Sequence, residues 1–220
     1  MIERVYRRAE RANSIDSVLV ATDDNRIADV VTKFGGNVCL TRSDHLSGSD
    51  RLAEVAESLT CDVIVNVQGD EPLLNPLLID AVVGRLLIDP SAHIATARCA
   101  ITDQSEFSNP HVVKVVVNSA DHALYFSRSP IPHQQNGTTP SDNILGFKHI
   151  GLYAYRRSIL LELGKLSPTT LEQTEQLEQL RALQYGYRIT TVETDDNPIG
   201  VDTAEDLDEV RRLVLTGVNE

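Results

Sequence analysis

The sequence contains no tryptophan, a single methionine and few aromatic residues, only 5% of its 220 positions. A hydrophobic core must therefore be built mainly from leucine, isoleucine, valine and alanine, within the 41% of residues that are hydrophobic. No run of 18 apolar residues occurs, which excludes a membrane-spanning helix. Because Met1 leads straight into a charged amphipathic pattern, we expect no signal peptide and a cytoplasmic protein.

Cysteine and positive charge are also scarce. Cys39, Cys61 and Cys99 lie far apart with no CxxC spacing, so we expect buried free thiols in a reducing compartment. Lysine and arginine number 20 against 32 aspartate and glutamate residues, which gives a formal net charge of −12. A nucleic-acid-binding protein needs a surplus of basic residues, so this balance argues against that class. It leaves open a free nucleotide, which a few local cations and a metal can hold.

The first half of the chain alternates short apolar runs with helical patterns. Residues 17–22, 37–40 and 62–67 predict buried strands, and helices are expected between and after them. The helix after the third strand begins at Asn75-Pro76, an N-cap followed by proline in the first turn. This alternation predicts an α/β fold with a Rossmann-like, mostly parallel sheet and helices on both faces.

The second half changes to strands with little helix between them. We expect a small antiparallel insertion over residues 94–146, which ends in an exposed loop at residues 129–146 rich in proline, glutamine and glycine. A further strand is predicted at residues 149–155 and a long helix at residues 171–185. No domain linker is visible, so residues 1–220 are interpreted as one domain.

Two aspartates follow predicted strands at distant positions. Asp70 ends the third strand in the run Val65-Asn-Val-Gln-Gly-Asp-Glu-Pro72, where Gly69 lets a ligand approach the backbone. Asp202 directly precedes Thr203, which starts the last helix with a capping box. Ligands of open α/β sheets bind beyond the carboxyl ends of strands, and carboxylates there suit Mg²⁺. We therefore expect the two aspartates to share Mg²⁺, although a turn or a helix N-terminus would explain either one alone.

Two further groups of residues are candidates for substrate binding. Ser47 and Gly48 precede a helix and can offer a hydroxyl and backbone N–H groups to a base or an anion, and Arg51 lies one turn further. An N-cap with a surface arginine is the structural alternative. The second group suits an acidic, hydroxyl-rich substrate such as a sugar acid, although a histidine of this kind is more often structural. It comprises Arg128, His149, Tyr153, Glu178 and Gln179.

In their order along the chain, these segments resemble the cytidylyltransferases of 3-deoxy-manno-octulosonate (Kdo), and the resemblance covers nearly the whole chain. The combination is far more specific than any single segment. The stretches that carry it are His45-Leu-Ser-Gly-Ser-Asp-Arg-Leu-Ala-Glu54, Val65-Asn-Val-Gln-Gly-Asp-Glu-Pro72, Asn109-Pro-His-Val-Val-Lys-Val-Val116, Ala123-Leu-Tyr-Phe-Ser-Arg128, His149-Ile-Gly-Leu-Tyr153, Leu177-Glu-Gln-Leu-Arg181 and Gly200-Val-Asp-Thr203.

The resemblance implies a fold of the nucleotide-diphospho-sugar transferase type and the transfer of CMP from CTP to the anomeric hydroxyl of Kdo. Pyrophosphate would be released, and the product would serve lipopolysaccharide synthesis. Asp70 and Asp202 would hold Mg²⁺ between the α-phosphate and the sugar acid, and Ser47 and Gly48 would contact cytosine. The region 94–146 would form a homodimer contact. The Kdo side would be lined by Arg51, Gln68, Arg128, His149, Tyr153, Glu178 and Gln179.

One part of the family pattern is missing from the 220 residues. Family members begin with a strand and a loop of the form Pro-Ala-Arg-x-x-Ser-x-Arg-Leu-Pro-Gly-Lys-Pro-Leu, whose basic residues hold the triphosphate. This sequence starts at the helix that follows that loop. We therefore interpret the chain as lacking an amino-terminal strand and loop, and expect weak or no activity. Two alternatives stay open, a cytidylyltransferase for another acidic sugar and a non-catalytic sugar-acid-binding or nucleotide-binding remnant.

Overall fold

The computed structural model describes residues 1–45, 47–135 and 143–216. Helices and strands alternate through the first half of this part, and strands dominate the middle. In chain order the elements are α1 Ile2–Ala9, β1 Leu19–Thr22, α2 Asn25–Lys33, β2 Asn37–Leu40, α3 Gly48–Glu57, β3 Val63–Asn66, α4 Pro76–Ile88, β4 Ile94–Ile101, α5 Gln104–Ser108, β5 Lys114–Val117, β6 Ala123–Ser127, β7 Gly146–Arg156, α6 Arg157–Leu163, α7 Thr170–Glu175, α8 Gln179–Gln184, β8 Ile189–Glu193 and α9 Ala204–Leu215.

Within the described residues the strands form two sheets. β1 and β2 pair in parallel as a two-stranded sheet. Five of the other six strands have the order β6-β5-β7-β4-β8. The sixth, β3, pairs with the carboxyl-terminal part of β7, from Tyr153 to Arg156. The ladder between β4 and β7 runs from Ile94 to Ile101 and is the longest, with a bulge between Thr96 and Ala97. No ladder between described residues joins the two sheets.

The helices begin where the sequence supplies caps. Asn75 accepts the N–H of Leu77 at the start of α4, which has proline in its first turn as predicted. Thr203 and Asp206 form the predicted capping box of α9. The side chain of Asp24 likewise caps α2. Each cap satisfies backbone donors that the first turn of a helix leaves without a partner.

Helices cover both faces of the six-stranded sheet. On one face Leu152 and Ala154 of β7 pack beneath α4, and on the other Tyr153 and Tyr155 pack against α6 and α8. Alternate residues of a strand point to opposite faces, so β7 contributes to both apolar clusters. These clusters confirm the α/β class and the prediction of helices on both faces.

The strand directions differ in part from the mostly parallel sheet that the sequence predicted. Only β1–β2 and β4–β8 are parallel among the described ladders, whereas β7 is antiparallel to β3, β4 and β5, and β5 is antiparallel to β6. Between β4 and β7 the described part of the chain forms only the short helix α5 and the antiparallel pair β5–β6. Parallel neighbours are usually joined by a helical crossover, and no long helix of that kind is present among the described residues here, so β7 pairs antiparallel to β4. The sheet is therefore mixed.

The predicted helix at 171–185 was wrong, because Gln176 divides it. Gln176 has a left-handed backbone (φ 53°, ψ 49°), so α7 ends there and α8 starts three residues later. The short helices α5 and α6 were not predicted. Cys61 is exposed and the other two cysteines are partly buried, so the expected burial of all three thiols was also wrong, although all are free.

The predicted loop at 129–146 lies partly outside the described residues, since 136–142 are not among them. No helix in the described part of the chain is long and apolar enough to cross a bilayer.

Candidate active site

Asp70 and the segment that carries Asp202 meet at one edge of the six-stranded sheet. β3, β4 and β8 run in the same direction, so their carboxyl ends lie at the same edge. The N–H of Val201 donates to the carbonyl oxygen of Asp70 at 2.9 Å. The structure thus brings together the segments of two residues that are 132 positions apart in the sequence, at the strand ends where the sequence placed a site.

The loop that follows β8 is attached to its surroundings by two more hydrogen bonds. Asn75 Nδ2 donates to Asp196 Oδ2 at 2.8 Å, and Lys148 Nζ donates to Asn197 Oδ1 at 2.6 Å. Because these contacts come from α4 and β7, the loop is fixed from two sides. The position of Asp202 therefore depends on contacts far from it in sequence.

Glu71 is an acidic residue of this edge that the sequence did not single out. Its Oε2 atom is buried without a hydrogen-bond partner. Burial, together with the negative charge of Asp70, raises the pKa of the Glu71 carboxyl to about 7, against the opposing effect of Lys148. Near neutral pH this carboxyl can therefore hold or release a proton. Its only sequence signal was its place beside Asp70.

The two aspartates fit the way proteins hold Mg²⁺. The side chain of Asp70 is partly exposed and that of Asp202 is exposed, so both can reach a ligand from solvent. The described residues contain no cluster of three or more metal-ligating side chains. Mg²⁺ does not need one, since it is commonly bound by one or two carboxylates together with waters and substrate phosphates. The donor set is compatible with this ion.

The start of α3 is held by a glutamate from the other half of the chain. Ser47 is the N-cap of α3, and its Oγ accepts the N–H of Asp50 at 3.2 Å. Glu178 Oε2 accepts the N–H of Ser49 at 3.1 Å. Its Oε1 would lie 3.7 Å from a Cβ atom added to Gly48. The predicted cytosine segment and a residue predicted for the sugar side are thus in direct contact.

Gln179 and Tyr153 lie beside this contact, and both are buried. A cavity of 20 Å³ is lined by Ser49, Tyr153, Tyr155, Glu178 and Gln179, among others. This volume is enough for one water molecule. The polar groups of α3, β7 and α8 therefore line one small space.

Arg51 makes contacts that the sequence did not anticipate. Its guanidinium lies 3.0 Å from Asp23 Oδ1 and donates to Thr41 Oγ1 at 2.5 Å. Asp23 and Thr41 directly follow β1 and β2, so one arginine joins α3 to both strand ends. In this structure Arg51 orders the loops around the predicted cytosine segment.

His149 and Tyr153 share a face of β7, as their spacing predicted, with ring centroids 5.2 Å apart. Thr96 Oγ1 lies 3.0 Å from His149 Nε2 and donates to the carbonyl oxygen of Leu152 at 2.8 Å. Because a hydroxyl has one proton, Thr96 can donate to only one of these acceptors at a time. Burial lowers the pKa of His149 to about 3, so the ring is neutral near pH 7.

Arg128 is held by backbone carbonyl groups. Its Nε donates to the carbonyl oxygen of Glu175 at 2.9 Å and its Nη1 to that of Pro110 at 3.1 Å. The carboxylate of Glu175 accepts the N–H of Arg128 at 3.0 Å. The buried Lys114 donates to the carbonyl oxygen of Arg128 at 2.6 Å. These bonds fix the end of β6 against α7.

Most of the predicted site residues therefore fall into two neighbourhoods, and three lie apart with partners of their own. Asp70, Asp202 and Gln68 lie at the ends of β3 and β8. Ser47, Gly48, Tyr153, Glu178 and Gln179 surround the start of α3. Arg51, Arg128 and His149 have intramolecular partners that occupy much of their polar surface. Gln68 lies beside β7, since its Cγ would be 3.8 Å from a Cβ atom on Gly151.

Comparison with known proteins places this geometry in a family. The chain matches the cytidylyltransferase family over residues 1–189. It is 50% identical over 218 residues to the 3-deoxy-manno-octulosonate cytidylyltransferase of Pelobacter propionicus, covering 96% of this chain and 86% of that protein. It is 51% identical over 213 residues to the enzyme of the same name from Syntrophotalea carbinolica, covering 94% and 85%.

A solved structure gives the same result in three dimensions. It is a CMP:2-keto-3-deoxy-manno-octonic acid synthetase complexed with CTP, with a TM-score of 0.91 and 41% sequence identity. The match covers 98% of this chain and 88% of that one. The fold of the nucleotide-diphospho-sugar transferase type is thereby confirmed. From its sequence and its fold alike, this chain belongs to the 3-deoxy-manno-octulosonate cytidylyltransferase family.

Proposed function

We propose that this protein transfers CMP from CTP to the anomeric hydroxyl of Kdo and releases pyrophosphate, as a single nucleotidyltransferase domain in lipopolysaccharide synthesis. The observation that carries the proposal is the meeting of Asp70 with the Asp202 segment at the strand ends, in a chain of this family. No Ser-His-Asp or Cys-His arrangement is needed, because this chemistry depends on positioning and charge neutralisation rather than on a covalent nucleophile.

The residues of the proposed site bind different parts of the substrates. Ser47 and Gly48 bind cytosine at the start of α3, where Glu178 holds the backbone. Asp70 and Asp202 hold Mg²⁺, which when bound polarises the α-phosphate and favours loss of the proton of the attacking hydroxyl. The carboxylate-bearing sugar is oriented between this edge and β7. Its partners are proposed to be Arg51, Gln68, Arg128, His149, Tyr153, Glu178 and Gln179.

We further propose that the protein acts in the cytoplasm as a homodimer. An apolar groove of 660 Å³ supports the dimer, because it lies in the predicted contact region and is lined by Val115, Val116, Val117, Pro132 and Phe147, among others. A patch of this kind is typical of a protein–protein contact. Measurement of the molar mass in solution tests this proposal, and a monomer at micromolar concentration contradicts it.

The function is tested by measuring pyrophosphate release with CTP, Kdo and Mg²⁺ in wild type, Asp70→Asn and Asp202→Asn. Each substitution keeps the shape of the side chain and removes the charge that binds the metal. We expect either variant to lose about 100-fold or more of kcat/KM. A high protein concentration makes the residual turnover of the variants measurable.

The matched control is Asp208→Asn, which makes the same chemical change on the exposed surface of α9. It should turn over like wild type. Release with another acidic sugar but not with Kdo would replace the proposed acceptor, and no release with any of them would overturn the enzymatic function.

A further inference from the structure

An ion triad built on a buried arginine lies between the two halves of the proposed site, and its residues are not among those assigned to the site. Arg181 is 6% exposed. Its guanidinium binds Asp50 Oδ1 at 3.0 Å and both carboxylate oxygens of Glu172 at 2.6–3.1 Å. Asp50 belongs to the first turn of α3, Glu172 to α7 and Arg181 to α8. One side chain thus ties the neighbouring helices α7 and α8 to α3, which lies 131 residues earlier at the Asp50 contact.

The triad lies beside the Glu178–Ser49 hydrogen bond, so α3 and α8 touch through two parallel polar contacts. Glu178 and Arg181 are three residues apart at the start of α8, and Ser49 and Asp50 are adjacent in α3. Movement of one helix start therefore moves the other. A planar guanidinium held by two carboxylates has little freedom to rotate, which makes the connection stiff.

We propose that the Asp50–Arg181–Glu172 triad couples the nucleotide half of the site to the sugar half, with Arg181 and Asp50 as positioning residues. The proposal rests on the proposed function, since it takes Ser47 and Gly48 as the cytosine contact and Glu178 as a sugar contact. Cytidine binding at the start of α3 orders that helix end, and the triad holds α8 in the orientation that presents Glu178 and Gln179 to the sugar.

The physical basis is a shared cost of ordering. A first ligand that rigidifies both helix starts removes part of the entropy that the second ligand would otherwise have to lose. The second ligand then binds more tightly, and by linkage the effect is the same in either order. A triad that served stability alone would lower the unfolding temperature when broken, but would leave the ratio of affinities unchanged.

The test measures Kdo affinity with and without saturating CMP by calorimetry, in the presence of Mg²⁺. CMP carries the cytidine that the start of α3 recognises, and it cannot react because it lacks a leaving group. We expect CMP to increase Kdo affinity at least about 5-fold in wild type. In Asp50→Asn, which keeps shape and leaves the Arg181–Glu172 pair intact, the factor should fall to below about 2-fold.

Two more variants keep the proposal falsifiable. Asp50→Glu restores the carboxylate and should recover part of the coupling. Glu209→Gln breaks the exposed pair with Arg212 and should behave like wild type. CMP affinity in the absence of Kdo is measured for each of them, so that every coupling factor is determined at saturating CMP.

A coupling factor in Asp50→Asn equal to that of wild type would overturn the proposal, as would a wild-type factor of one. These results are separable from the function itself. If wild type showed coupling between CMP and Kdo binding but formed no CMP-Kdo from CTP, the proposed reaction would be contradicted. The proposed role of the triad would still be supported.

Discussion

The two sheets of this protein are held together in different ways. In the six-stranded sheet, β4 and β7 form an eight-residue ladder, and Leu152 and Ala154 of β7 are completely buried. In the two-stranded sheet β1 and β2 pair over four residues, and Leu19 and Leu40 are 37% and 56% exposed. A pair of strands is marginal by itself, so β1–β2 must depend on other contacts.

Polar contacts from α1 supply part of that support. The hydroxyl of the buried Tyr6 donates to the carbonyl oxygen of Val18 at 3.2 Å and accepts the N–H of Asn37 at 3.1 Å. Arg7 Nη2 donates to the carbonyl oxygen of Phe34 at 2.8 Å. The comparison teaches that apolar burial stabilises the sheet that carries Asp70. A few directional bonds stabilise the strands that lead to Ser47 and Gly48.

The largest effect is expected from removing a core side chain of the six-stranded sheet. Phe126 of β6 is completely buried, so Phe126→Ala should lower the free energy of unfolding by about 3–5 kcal/mol through lost burial and a cavity. The control is Leu124→Ala on the same strand, where the side chain is 61% exposed and the change should stay within about 0.5 kcal/mol. Denaturant unfolding measures the free energy of unfolding of both variants. Equal losses would contradict the conclusion that apolar burial stabilises this sheet.

A pH-dependent effect is expected from His149, again in the six-stranded sheet. Its pKa falls from 6.5 to about 3 on folding, so between these values the unfolded chain binds a proton that the folded chain does not. The contribution of the neutral His149 ring to the free energy of unfolding is therefore fully present above pH 6.5 and is lost as the pH falls below that value. From pH 7 to pH 5 the wild type should lose about 1–2 kcal/mol more than His149→Gln.

Urea unfolding at the two pH values provides this measurement. The exposed His111 offers a matched control, and His111→Gln should follow wild type. If His149→Gln lost as much stability between the two pH values as wild type, the ring would have to be open to protonation in the folded protein.

The smallest effect is expected from Tyr6→Phe, which removes only the hydroxyl that joins the starts of β1 and β2. Losing these hydrogen bonds should cost about 1 kcal/mol, confined to the two-stranded sheet. Hydrogen exchange of amides in β2 should speed up, while amides in β4 and β7 keep their protection. Tyr185→Phe, with a half-exposed ring, is the control and should change neither. A uniform acceleration across both sheets would mean that they unfold as one unit.

Much of the fold could be predicted from local signals. Asn75-Pro76 and Thr203 mark helix starts through their own side chains, and these predictions are confirmed. Strand direction and the break at Gln176 could not be predicted. Gln176 adopts its left-handed backbone next to Leu177, which is buried in the core, and Glu178, which contacts α3. Such long-range contacts cannot be recognised from the periodicity of hydrophobic residues in the sequence.

The candidate site was predictable to a similar extent. The position of Asp70 followed from the strand-end rule, and the structure brings it to the Asp202 segment. Their role as metal ligands stays a prediction. Glu71 and Arg181 were missed, although both stand within recognised motifs, because burial decides their importance and a sequence does not show burial.

By itself the sequence determined the family, the alternation of elements and the residue types available for chemistry, since these depend on local composition and order. Only the tertiary structure decided that β7 runs antiparallel to β3, β4 and β5, and that Glu178 and Arg181 bind the start of α3. The physical reason is that packing selects among many locally acceptable arrangements. Buried charges persist only where the fold supplies each of them with a partner.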